Sequence, residues 1–207
     1  MSQTAHLSSI YKQEELRRIH IIGGAGSGKT TLARTLSAHL HLPVYHLDEI
    51  YLRYGRESES QLDLLCAEIH QIAVQSAWIT EGIYLRWTDE LLRTADQIIW
   101  LDIPWRYAAR RLIIRYVWIG LTNPSSKPLP YKLVGLMRYL WYEILRDERR
   151  YYLDSSIIDA GTLPDANVKN RATTTKDLAP YSEKLVRYCT PSQIERFLTS
   201  IKQEADV

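Results

Sequence analysis

GGAGSGKTT, residues 23–31, stands directly behind the short apolar run Ile19–Ile22 and directly ahead of a helical pattern. Gly23, Gly28, Lys29 and Thr30 fill G-x-x-x-x-G-K-[ST] without a departure. A strand signal before the motif and a helix after it separate a phosphate cradle from a glycine-rich turn. In such a loop successive backbone amides form an anion-binding nest, and the following helix adds the partial positive charge of its N-terminus. Lys29 reaches the β and γ phosphates, and Thr30 ligates Mg²⁺. The nucleotide-binding candidates are therefore Gly23, Gly24, Ala25, Gly26, Ser27, Gly28, Lys29, Thr30 and Thr31.

Beyond the motif, the apolar runs at 19–22, 43–47, 77–80, 97–103 and 184–189 read as strands. Thr30 to Leu40, Glu59 to Val74 and Trp105 to Ile119 carry apolar residues at helical spacing. Alternation of this kind implies a mostly parallel sheet covered on both faces. GLTNPSSKPLP, 120–130, holds three prolines and reads as an exposed loop, a candidate hinge or lid element. Residues 131–152 read as a long helix whose aromatic side chains, Tyr151 and Tyr152 among them, serve packing. The stretch 161–180 reads as a polar loop or insertion. A last helix opens with Thr190 as N-cap and Pro191 at the first helical position.

The 207 residues suit one domain, 1–207, with a lid or insertion region over about 116–180. A formal charge of +2 argues against a dedicated nucleic-acid binder. Cys66 and Cys189 lie far apart and in no C-x-x-C pair, which points to a reduced, cytoplasmic setting and away from a disulfide framework or zinc. The N-terminal stretch lacks an apolar core, and no run approaches the roughly 18 apolar residues of a spanning helix, so no membrane partner is expected.

The order of GGAGSGKTTLARTLSAHLHLPVYHLDEIY, WITEGIY, ADQIIWLDIPW, RRLIIR and RYCTPSQIERFL resembles the adenylate-kinase-like P-loop kinases, most nearly the topology-modulation subgroup. That resemblance implies an α/β chain of the three-layer P-loop nucleoside-triphosphate hydrolase fold, with a five-stranded sheet, helices on both faces and a helical lid. It implies ATP and Mg²⁺ as cofactors and transfer of the γ-phosphoryl group to a small-molecule acceptor. It also places an acidic residue near the metal at the end of the third strand, here Glu81 before Gly82, and an arginine pair at the lid base, here Arg111 and Arg115. Lys29, Glu81, Arg111 and Arg115 are thus the catalytic candidates, with Thr30 and Glu81 toward the metal.

Asp102 closes an apolar run in the manner of a metal-side acid, whereas in the similar kinases that position shapes the loop before the lid helix; both readings stand. Asp48, read as ending the second strand, and Arg86, shortly after Glu81, are the candidates for binding the acceptor. His46 reads as a hydrogen-bonded structural histidine. A nucleotide-switched regulatory protein, possibly linked to DNA topology, is the alternative from another class. The sequence carries no motif that names the acceptor.

Overall fold

The computed structural model describes residues 16–54, 59–85, 87–122, 135, 138, 149–152 and 170–205. Five strands, β1 (Arg18–Gly23), β2 (Val44–His46), β3 (Trp78–Gly82), β4 (Gln97–Leu101) and β5 (Leu185–Tyr188), form one sheet in the order β2-β3-β1-β4-β5. Every pairing is parallel. The α/β class, the five strands and their parallel arrangement are those expected from the sequence.

Side chains alternate across β1, and the two faces build separate cores. Ile19 and Ile21 pack with Leu32 and Leu36 of α1 (Lys29–Leu40), and with Ile201 of the C-terminal helix Pro191–Ala205. Ile22 faces the other way, toward Leu47, Ile50, Leu65, Ile69 and Trp78. These come in part from α2 (Leu47–Tyr54) and α3 (Glu59–Ala73), and Leu91 and Leu92 of α4 (Asp89–Thr94) join them. Burial on both faces explains why β1 and β4 read as unbroken apolar runs rather than as alternating ones.

His20 shares the second face and is fully buried. Its Nδ1 lies 2.7 Å from Thr80 Oγ1 on the neighbouring strand, while Nε2 has no partner. Burial pushes its pKa down to about 3, so the ring is neutral at physiological pH.

The local differences from the sequence reading fall in the connections. β2 ends at His46, and Leu47 opens α2, so Asp48 occupies the first turn of a helix rather than the end of a strand. Leu47 and Ile50 hold that helix by their burial in the core. Part of the expected polar loop is the helix Arg171–Leu178. Asn170 caps it: its side chain accepts from Thr173 N–H at 2.8 Å while Thr173 Oγ1 accepts from Asn170 N–H at 3.1 Å. Of the expected loop 120–130, residues 120–122 instead continue the helix that begins at Trp105, while 123–130 and most of the expected long helix 131–152 lie outside the described residues. Among the described residues, the end of α5 (Trp105–Thr122), the short helix Arg149–Tyr152 and the helix Arg171–Leu178 fall within the expected lid region.

The topology places the loop that follows β1. From β1 the chain crosses to β2 and returns through β3 on one side, then continues to β4 on the other. Residues 24–28 therefore sit where the connections diverge, at the carboxyl end of the central strand. Open parallel sheets leave a ligand crevice at that point.

Candidate functional site

Two loop glycines adopt left-handed backbone, Gly26 at φ +73° and Gly28 at φ +102°. A Cβ at Gly26 would stand 2.6 Å from the Ala108 carbonyl oxygen of α5, so space as well as conformation requires glycine there. Gly28 is the N-cap of α1, and the first turn of that helix carries Lys29, Thr30 and Thr31. Thr30 and Thr31 are exposed.

The loop carbonyls are engaged from several directions. Gly24 O accepts from Ser27 N–H at 3.2 Å and from Lys29 Nζ at 3.2 Å. Ala25 O accepts the Tyr152 hydroxyl at 2.7 Å. Ser27 O accepts Arg111 Nη1 at 2.8 Å. The arrangement turns main-chain acceptors toward protein donors, which suits a loop whose amides serve an anion.

Glu81 reaches the same place from β3. Its register neighbour is Ile21, two residues before Gly23, and Gly82 pairs with Ile22. The residue is 3% exposed. Oε1 accepts the Thr30 hydroxyl at 3.1 Å and also faces His46 Nδ1 at 2.8 Å, which puts the ring proton on Nδ1. Oε2 is buried and has no partner. A carboxylate oxygen without a hydrogen bond is costly to bury, so this one is suited to a cation. Glu81 and Thr30 offer oxygen alone, the donor type that Mg²⁺ prefers. Among the described residues no group of three or more His, Cys, Asp or Glu is assembled for a metal. Mg²⁺ commonly takes few protein ligands beside water and substrate phosphates, so this pair fits it.

Asp102 has a different environment, although it is equally buried at 3% exposed. Oδ1 accepts Arg171 Nε at 2.6 Å, and Oδ2 accepts Arg187 Nε at 2.9 Å and Arg187 Nη2 as well. The Arg187 guanidinium also lies 4.4 Å from the centre of the Trp100 ring. Both Asp102 oxygens are thus held by arginine. This carboxylate ties the ends of β4 and β5 to the helix Arg171–Leu178. Each Asp102 oxygen accepts from an arginine, whereas one Glu81 oxygen accepts from none of the protein's donors.

Of the remaining candidates, Arg111 meets the loop, whereas Arg115, one turn on, is exposed and turned to Tyr116. Its guanidinium lies 5.1 Å from that ring centre, and Nη2 is 3.4 Å from the hydroxyl. Arg106 lies over the ring of its neighbour Tyr107. Asp48 is exposed in the first turn of α2. Arg86 lies outside the described residues. His46 is hydrogen-bonded, as expected, but its partner is the site carboxylate.

Sequence reasoning missed Arg171 and Arg187 as the partners of Asp102, and it missed where Tyr151 and Tyr152 pack. A Cβ at Gly24 would lie 2.4 Å from Tyr151 Cδ1 and 2.7 Å from the Tyr152 hydroxyl. Glycine at position 24, directly after the motif's first glycine, is therefore required by the tyrosines above it. Nothing in the local sequence signals a contact between residues so far apart. Both cysteines are free and exposed. No helix among the described residues is long and apolar enough to cross a membrane.

No family model matches the sequence, and no curated protein matches it. Among solved structures, a shikimate kinase from Bacteroides thetaiotaomicron is similar at 17% identity and TM-score 0.45, over 92% of this chain and 99% of that one. A gluconokinase from Sinorhizobium meliloti 1021 is similar at 13% identity and TM-score 0.42, over 92% of this chain and 94% of that one. A shikimate kinase from Acinetobacter baumannii in complex with shikimate gives 21% identity and TM-score 0.40, over 63% of this chain and 81% of that one.

Proposed function

We propose that this chain is an ATP- and Mg²⁺-dependent phosphotransferase that moves the γ-phosphoryl group to a small acceptor. The observation that carries the reading is the meeting of Thr30 and Glu81 beside the phosphate loop, with Glu81 Oε2 buried and unpaired. An acid at the end of β3, against the first turn of the loop's own helix, is placed to share a cation with bound phosphates.

Lys29 and the loop amides hold the β and γ phosphates, and Thr30 and Glu81 are the residues that would hold Mg²⁺. When bound, that ion draws negative charge from the phosphate oxygens. His46 fixes the orientation of the Glu81 carboxyl through Oε1. Arg111 and Arg115 neutralise charge on the transferring group, for which a permanently charged planar guanidinium is suited. An acceptor oxygen bonds to the γ phosphorus as the bond to the β–γ bridging oxygen breaks, ADP leaves, and the proton of a hydroxyl acceptor passes to solvent. Positioning and charge neutralisation account for the rate, and no side chain needs to be covalently modified. Asp48 and Arg86 remain the proposed acceptor contacts.

The test is an acceptor screen. Purified protein with ATP and Mg²⁺ is offered nucleoside monophosphates, nucleosides, small polyols and hydroxy acids, and ADP release is recorded above the no-acceptor background. At least one class should raise ADP release at least tenfold over background, and Lys29→Ala should abolish the increase. No ATP binding by the wild-type chain, read as absence of thermal stabilisation at millimolar ATP, would overturn the reading.

A further inference from the structure

Tyr152 lies at the end of a four-residue helix, Arg149–Tyr152, which the sequence separates from the phosphate loop by more than a hundred positions. Its hydroxyl nevertheless donates to Ala25 O at 2.7 Å. The ring is 6% exposed and lies between Trp105, with ring centres 5.2 Å apart, and Tyr151, 5.1 Å away and edge-on at 87°. Tyr151 is itself anchored. Its hydroxyl accepts Trp100 Nε1–H at 3.0 Å, and Trp100 belongs to β4, in register with Ile22 of β1. Burial raises the pKa of Tyr151, which keeps that hydroxyl protonated.

The consequence for the loop follows from peptide geometry. In a planar trans peptide the C=O and the following N–H point in opposite directions, and no cis peptide occurs among the described residues. Holding the Ala25 carbonyl therefore sets the direction of the Gly26 amide. Gly26 is free to adopt many backbone conformations, so an unrestrained loop would lose that setting. Arg111 acts in the same way on Ser27 O and the Gly28 amide. Tyr152 differs in being neutral and buried under its neighbours.

We propose that Tyr152 is a positioning residue of the phosphate loop, its hydroxyl fixing the Ala25–Gly26 peptide so that the Gly26 amide faces the bound phosphates. This rests on the phosphate-binding reading of the loop. The contribution is preorganisation: a hydrogen bond made before the ligand arrives spares the ordering of the loop on binding.

Tyr152→Phe deletes the hydroxyl and keeps the ring. Ile72→Val, in α3 and away from the loop, serves as a control for a modest loss of core packing. Calorimetric titrations with Mg-ATP, and with inorganic tripolyphosphate as a ligand that has no base or sugar, are run on wild type and both variants alongside melting curves. Tyr152→Phe is expected to weaken both ligands about tenfold, equivalent to about 1.4 kcal/mol, by a similar factor for each. Ile72→Val is expected to weaken neither. Unchanged affinity in Tyr152→Phe, or an equal loss in Ile72→Val, would overturn the positioning role while leaving phosphate binding intact. Absence of binding of either ligand to the wild-type chain would instead remove the phosphate reading, and this inference with it.

Discussion

Thr30 donates to Glu81 on the one carboxylate oxygen that also faces His46, and the second oxygen, buried beside it, has no protein partner. Two residues separated by 51 positions thus meet with one carboxylate oxygen satisfied and one left over. A helix-capping role for Glu81 would have used a backbone N–H, whereas Oε1 is held by two side chains. The leftover oxygen is the feature that a hard cation would complete.

Glu81→Gln keeps the side-chain shape and removes the charge. Turnover should fall at least tenfold, with a smaller change in ATP affinity, because phosphates still meet Lys29 and the loop amides. Steady-state ADP release across a Mg²⁺ titration checks this. A variant with wild-type kcat and wild-type Mg²⁺ dependence would remove Glu81 from the metal side of the site.

Asp102→Asn should behave in the opposite sense. The amide leaves the Arg171 and Arg187 guanidiniums without their countercharge at a position 3% exposed. Breaking a buried pair from one side costs about 3 kcal/mol when one partner, as Arg187 does, also reaches water. Denaturant unfolding should show that loss, with turnover per folded molecule near wild type. Loss of turnover without loss of stability would move the metal-side acid from Glu81 to Asp102.

These two acids also show what the sequence made legible. Both close an apolar strand, and from the residues alone either could have faced the metal; the resemblance to P-loop kinases favoured Glu81. Their surroundings differ through partners that are non-local: Arg171 lies 69 positions from Asp102 and Arg187 lies 85. The phosphate loop was legible because its glycine spacing is local and its flanking strand and helix carry their own periodicity. α2 was not, since the apolar run 43–47 continues without a break from the strand into the helix, and the burial of Leu47 and Ile50 sets the boundary. RATTTKDL lacks an apolar stripe and is rich in β-branched threonine, so it read as a loop. It is a helix because Asn170 caps it and Thr174 and Leu178 are buried.

His20 makes stability depend on pH. Its folded pKa of about 3 lies below its unfolded value of 6.5. The full contribution is therefore present above pH 6.5, and it is lost as pH falls, since only the unfolded chain takes up the proton. The slope is about 1.4 kcal/mol per pH unit until about pH 3, or about 2 kcal/mol between pH 7 and pH 5. His20→Leu combined with Thr80→Val removes the titrating ring and the hydroxyl it faces. Urea unfolding at the two pH values should show a smaller difference for the double variant than for wild type. Equal differences would place the acid sensitivity in other groups.

Arg111 and Arg115 lie one turn apart on α5, and their surroundings separate them. Arg111 holds Ser27 O, so its loss disturbs the loop before any chemistry begins. Arg115 touches Tyr116 of its own helix and is otherwise exposed, which leaves it available to charge that develops later. Arg111→Ala should therefore weaken ATP binding about tenfold and lower kcat as well. Arg115→Ala should leave ATP affinity near wild type and reduce kcat and kcat/KM by the same factor, the pattern of a group that acts only in the transition state. Direct titration of ATP gives the first quantity, and initial rates with the acceptor found by screening give the others. If Arg115→Ala weakened ATP binding with kcat unchanged, that arginine would be a ground-state phosphate ligand. If it changed neither, charge neutralisation at the transferring group would fall to Arg111 and Lys29 alone.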